Sequence, residues 1–122
     1  MIDQLFKALS EESRLRILSV LMIRPMCVCE IEACLKMTQS NASRHLTVLK
    51  NCKILEGYKE AQWAYYRISE QFKEDNQELW EYLQRILKGL KTYQKDMEEC
   101  EICLTKDICS MTKMNSKRRV KI

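Results

Sequence analysis

Thr38 to Lys50 reads T-Q-S-N-A-S-R-H-L-T-V-L-K. Ala42, Leu46 and Leu49 recur at spacings of four and three, the period of a helix with one apolar face, so the stretch predicts a helix over Ser40 to Asn51. The face away from that stripe carries short or forked hydrogen-bonding groups: Gln39, Ser40, Asn41, Ser43, Arg44, His45, Thr47 and Lys50. Such side chains suit the base edges and phosphates of a DNA groove. A lone S-x-x-S-R-H would describe an ordinary solvated face equally well, so the neighbouring segments have to decide.

Upstream, Val28 to Leu35 predicts a short helix separated from the first by only Lys36 to Gln39, which is the helix-turn-helix pattern. Further upstream, a helix over Asp3 to Leu9 is followed by Ser10 as an expected N-cap, with Glu11 and Glu12 in the next first turn. Leu15, Leu18, Val20, Leu21 and Met22 then make a largely buried helix that ends before Pro25. Downstream the period changes. Ile54 to Lys59 and Trp63 to Ile68 are rich in aromatic and branched residues around Glu60-Ala61-Gln62, which predicts a β-hairpin of the kind called a wing, with Lys59 and Gln62 placed to meet phosphate or minor groove. From Asp75 to about Glu99 one long helix is expected. Its residues Leu79, Leu83, Ile86, Leu90, Tyr93 and Met97 follow the 4-3-4-3-4 spacing of a heptad seam, widened by Trp80 and Leu87. Such a stripe must be buried, either in the domain's own core or between two copies; because the preceding helices already form a compact unit, a dimer interface is the preferred expectation. The fold class is α+β, mainly helical: a winged helix-turn-helix with a β-hairpin wing and a C-terminal dimerisation helix. Residues 1–99 form this domain and 100–122 a cysteine-containing basic tail.

A chain of 122 residues with 46% apolar content supports about one domain. The longest apolar run, Ile17 to Ile23, is broken by Ser19 and is far shorter than the ~20 residues a membrane span needs. The acidic N-terminal region does not resemble a secretory signal, so a cytoplasmic protein is expected. The net charge of +4 belongs to the end of the chain: residues 110–122 hold five basic side chains and no acid, leaving 16 basic and 17 acidic over residues 1–109. Within that balance Lys36, Arg44, Lys50, Lys53, Lys59 and Arg67 face only Glu56 and Glu60, so positive charge gathers where DNA is expected.

Seven cysteines without a secretory signal point to metal binding, thiol chemistry or burial rather than structural disulfides. Cys27 and Cys29 stand one residue apart. On a regular helix residues i and i+2 point roughly 200° apart, so the two can share one ion only where a helix begins or unwinds, and Pro25 just upstream implies a beginning. A helix N-terminus also favours the thiolate form. Cys34 lies ~7.5 Å along the helix from Cys29, too far to share a small ion, and is expected to be a buried bystander, as is Cys52. A third thiolate must then come from Cys100, Cys103 or Cys109, of which Cys100 and Cys103 face the same way on a helix. All-sulfur ligation selects soft ions: As(III), Sb(III), Cd(II), Pb(II), Cu(I) or Zn(II).

The succession of Cys27-Val28-Cys29-Glu30-Ile31, a tight turn, Ser43-Arg44-His45-Leu46 and the segment Ile54 to Ile68 resembles the ArsR/SmtB family of metal-responsive repressors, over roughly residues 3–100. The cysteine motif is similar to the arsenic and cadmium/lead sensor branches. The resemblance implies a homodimer that binds double-stranded operator DNA and releases it on binding a toxic metal or metalloid, with As(III) or Sb(III) the expected inducer. Two departures stand out. Glu32 occupies the place where the arsenite branch often has a third cysteine, and Ala61-Gln62 replaces the glycine common at the wing tip. Other members place zinc or nickel on histidine and acidic groups of the dimer helix; here the single histidine, His45, lies in the recognition helix and is expected to touch DNA. A Cd(II), Pb(II) or Zn(II) sensor with Cys27, Cys29, Cys100 and Cys103 in a four-thiolate site, or a thiol redox sensor, remain alternatives. Nothing resembles a nucleophile paired with a base, or a phosphate loop, so an enzyme is not expected.

Overall fold

The computed structural model describes residues 2–105. In chain order it holds α1 (Ile2–Leu9), α2 (Glu12–Leu21), β1 (Met26–Cys27), α3 (Val28–Leu35), α4 (Gln39–Asn51), β2 (Leu55–Glu60), β3 (Trp63–Ile68), α5 (Glu70–Asp75), α6 (Gln77–Gly89) and α7 (Lys91–Leu104). The three strands form one antiparallel sheet in the order β1-β3-β2. This is a winged helix-turn-helix, with β2 and β3 as the wing.

Local chemistry accounts for most boundaries. Thr38 caps α4 by accepting from the Asn41 amide at 3.2 Å, and Ser69 caps α5 by accepting from the Phe72 amide at 3.2 Å. Lys36 ends α3 in the left-handed region at φ 56°, which turns the chain sharply enough for α4 to cross α3. Ser10 is not the cap expected of it. Its Oγ donates to the Lys7 carbonyl at 2.7 Å and finishes α1, and Glu11 takes the N-cap position of α2 with extended backbone. The core gathers around Ile17, Leu18 and Val20 of α2, Ile31 and Leu35 of α3, Leu46 and Leu49 of α4, Ile54, and Leu87 of α6, all essentially excluded from solvent.

The single long C-terminal helix is corrected to two. Gly89 closes α6, Leu90 is extended at φ −90° and ψ 138°, and α7 starts at Lys91. Glycine is the weakest ordinary helix former, by about 1 kcal/mol relative to alanine, so the helix gives way where the sequence offers least resistance. After the break α7 packs on α2 and α3. Leu83 and Tyr93 are consequently buried inside the subunit itself, whereas Leu90 is 49% exposed. The Arg16 guanidinium fixes this arrangement: Nε donates to Asp96 at 2.8 Å, while one terminal nitrogen donates to Asp96 at 3.1 Å and to the Leu35 carbonyl at 3.2 Å. Helix α7 also runs past the expected boundary at residue 99 and carries Cys100 and Cys103 in its last turns. Cys109 and the basic residues beyond it lie outside the described residues.

Candidate thiol site and nucleic-acid interface

Cys27 ends β1 and is also the N-cap of α3, so its backbone is extended while Cys29 is already helical. That change of conformation between them removes the opposition of i and i+2 side chains, and the two Sγ atoms lie 2.9 Å apart. The junction is held by a capping box: the Glu30 carboxylate accepts from the Cys27 amide at 3.1 Å, and the Cys27 sulfur accepts from the Glu30 amide. Arg24 anchors the other Glu30 oxygen at 3.0 Å. Both thiols are buried and pack against Tyr65 of β3. Tyr65 stacks on Tyr58 of β2 at 5.7 Å between centroids, and the Arg67 guanidinium covers Tyr58 at 4.8 Å. The thiol pair therefore sits between the first helix of the helix-turn-helix and the aromatic surface of the wing.

The remaining thiols group differently. Cys34 is buried in the core as expected, and it also donates to the Cys100 carbonyl at 3.8 Å and lies within hydrogen-bonding reach of the Cys100 and Cys103 thiols. The Cys34 thiol is pushed far up by its hydrogen bond to Cys100 and by burial, and Cys100 is correspondingly lowered by the same bond. Cys52 is half-buried and donates to the Gln4 carbonyl at 3.7 Å, away from both groups. Thus Cys27 with Cys29, and Cys34 with Cys100 and Cys103, make two sets within one subunit. Among the described residues, no three histidine, cysteine, aspartate or glutamate side chains already converge as a cage for a metal ion.

On α4, Gln39, Ser40, Asn41, Ser43, Arg44, Thr47 and Lys50 are exposed along one side. The Thr47 hydroxyl donates back to the Ser43 carbonyl at 2.9 Å, and Arg44 leans on the Asn41 side chain at 3.5 Å. His45 departs from the expected outward placement. It is 2% exposed, its Nδ1 accepting from Arg14 at 3.2 Å and its Nε2 lying 3.7 Å from the Glu11 carboxylate. Sequence spacing carried the signal: residues 42, 45, 46 and 49 follow the i, i+3, i+4, i+7 stripe of a core face. Arg14 was the partner that went unread. It lies 31 residues from His45, and its Nε also closes α1 by donating to the Ala8 carbonyl at 2.6 Å.

At the wing tip, Glu60 pairs with Trp63 across the two-residue loop Ala61-Gln62, beside exposed Lys59 and Gln62. Only the first loop residue has a positive φ, 58° at Ala61, as a type II′ turn requires and a type I′ turn does not. The hairpin thus tolerates alanine where glycine would be free of strain.

Comparison with known proteins agrees with this geometry. Residues 11–56 match the family described as bacterial regulatory protein, arsR family. The chain is 39% identical over 67 residues to the arsenical resistance operon repressor of Escherichia coli, covering 54% of this chain and 57% of that protein. It is 33% identical over 70 residues to the arsenical resistance operon repressor of Bacillus subtilis, covering 57% of this chain and 67% of that protein. Among solved structures it is similar to the homodimeric winged helix-turn-helix DNA-binding domain of a possible ArsR-family regulator from Mycobacterium bovis, with a TM-score of 0.61, 29% identity and coverage of 75% of this chain and 82% of that one. The chain spans about 57% of the length of the Escherichia coli relative. No helix among the described residues is long and apolar enough to cross a membrane. Matched by that family over residues 11–56 and 33% identical to a relative of which it covers 67%, the chain belongs to the ArsR family of bacterial regulatory proteins.

Proposed function

We propose that this chain is a homodimeric cytoplasmic transcriptional repressor that binds operator DNA and releases it on binding As(III) or Sb(III). The observation that carries the reading is the 2.9 Å approach of the Cys27 and Cys29 sulfurs at the start of α3, one tight turn away from the DNA-facing helix. Two thiolates at such a junction can chelate one soft ion, and arsenite takes three sulfurs. The third sulfur is assigned to a tail thiol; Cys100 and Cys103 pack near Cys34 within the same chain, and Cys109 lies outside the described residues. The names of the Escherichia coli and Bacillus subtilis relatives support arsenic over a divalent ion.

Arg44, Asn41, Ser40, Ser43 and Gln39 are assigned to the major groove, Thr47 and Lys50 to its backbone, and Lys59 with Gln62 to the flanking phosphate or minor groove. The homodimer is supported by the M. bovis relative and by apolar side chains that one subunit leaves exposed: Ile2 and Phe6 of α1, Tyr82 of α6, and Leu90. Of the seam, Leu79, Ile86 and Met97 are half-buried and Leu90 is exposed, so these four are assigned to the partner while Leu83 and Tyr93 serve the subunit core. Release follows by linkage: an ion that prefers the conformation with poor operator fit lowers DNA affinity by the factor by which DNA lowers ion affinity. X-ray absorption on the arsenite-loaded protein tests the site directly. Three sulfurs per arsenic are expected; four sulfurs around Cd(II), Pb(II) or Zn(II), with no arsenite bound, would overturn it.

A further inference from the structure

Cys34 takes no part in the inducer site proposed above, yet it is closely engaged with other thiols. It is 3% exposed near the end of α3 and meets both Cys100, which is fully buried, and Cys103, which is half-buried. Cys34 of α3 thus faces two thiols of α7, of which Cys103 is the more accessible. Their spacing is set without the thiols. Arg16 grips Asp96, one turn before Cys100, through two nitrogens at 2.8 and 3.1 Å, and the same guanidinium holds the carbonyl of Leu35, the neighbour of Cys34, at 3.2 Å. Buried cysteines commonly act as small apolar residues, but a buried thiol within reach of a second, partly accessible one is arranged for thiol oxidation.

We propose that Cys34 and Cys103 form a peroxide-reactive dithiol that closes to a disulfide and staples α7 to α3. The Cys103 thiolate attacks one peroxide oxygen; the S–O bond forms, the O–O bond breaks, and the departing hydroxide takes a proton to become water. Cys103 is left as a sulfenic acid. The Cys34 sulfur then attacks it, the S–S bond forms, the S–O bond breaks, and hydroxide leaves with the Cys34 proton as the second water. Two thiols lose two electrons and one peroxide becomes two waters. Solvent access selects Cys103 as the thiol oxidised first, and contact selects Cys34 as the one that resolves it. Neither residue belongs to the Cys27–Cys29 site, so this inference stands or falls independently of the arsenic reading.

The test is peptide mapping of the full chain carrying Cys27→Ser and Cys29→Ser, reduced, metal-free and treated with hydrogen peroxide before alkylation. Peptides containing Cys34 and Cys103 should appear joined with loss of two hydrogens, and dithiothreitol should separate them. Adding Cys34→Ser should stop the reaction at a Cys103 sulfenic acid that dimedone labels, whereas adding Cys100→Ser should leave the Cys34–Cys103 link in place. Mapping the unsubstituted chain gives the same readout should the double variant fail to fold, because the peptides differ. The proposal is overturned if Cys34 and Cys103 both remain alkylatable, if the bond joins Cys100 to Cys103 and leaves Cys34 reduced, or if Cys103 oxidises further without forming a link.

Discussion

The Arg14 guanidinium donates to Nδ1 of His45 across 3.2 Å, which ties helix α4 to the α1–α2 corner from the inside. Burial holds the imidazole below its usual range, the nearby Arg44 and Arg14 charges act in the same direction, and Glu11 opposes them. The unfolded chain takes up a proton near pH ~6.5 that the folded chain resists. This contribution to stability is therefore complete above that pH and declines as the pH falls below it. Urea midpoints should hold steady from about pH 8 to 7 and drop on further acidification, and His45→Gln should flatten the drop. Equal slopes for the two proteins would show that His45 is not the titrating group.

Arg44 is exposed on the outer side of α4 and free of the core contacts that hold His45. Arg44→Ala should weaken operator binding by about 1–3 kcal/mol and leave arsenite affinity of the DNA-free protein unchanged. An operator titration that does not move would take α4 out of the DNA interface.

Replacing both Cys27 and Cys29 by serine should preserve the fold, because serine is itself a good N-cap and Glu30 keeps its bond to the residue 27 amide. The double variant should bind operator as before and no longer release it with arsenite, as read by fluorescence anisotropy. Release at the original arsenite concentration would place the inducer on other thiols.

Leu90 and Leu83 separate assembly from folding. Leu90 is half-exposed in the single subunit, so Leu90→Glu should give a folded monomer in sedimentation. Leu83 is buried in the subunit core, so Leu83→Glu should destabilise the chain by several kcal/mol, about 3 or more, before dimerisation is even assayed. A Leu90→Glu dimer of wild-type strength would move the interface elsewhere.

Ala61 holds φ at 58° in the wing tip. Ala61→Gly should raise stability by about 0.5–1 kcal/mol, less whatever glycine adds to the entropy of the unfolded chain, and thermal denaturation will read the sign. A lower melting temperature would mean that the turn carries no strain there.

The helix-turn-helix and the wing were legible because their signals are local. The stripe of Ala42, Leu46 and Leu49, the short turn at Lys36 and the aromatic run from Trp63 to Ile68 each act within a few residues. The requirement that Cys27 and Cys29 meet at a helix start was legible for the same reason, since it follows from the angular step of the helix. The break at Leu90 was not, because the 4-3 spacing continues across it unchanged and only the packing of α7 on α2 and α3 exposes the fold-back. The partnership of Cys34 with Cys100 spans 66 residues, and a helical-rise argument that measures only along α3 could not find it.

Strand β1 has just two residues, Met26 and Cys27, paired with Tyr66 and Tyr65 of β3. One thiol of the pair is therefore itself a rung of the wing's sheet, and the aromatic ring packed on it belongs to the rung opposite. A longer strand would spread a tug on its end over many rungs; here there are only two. Any force that an ion exerts at Cys27 arrives at the hairpin almost undiluted, so the wing has as direct a mechanical connection to the thiols as the recognition helix does.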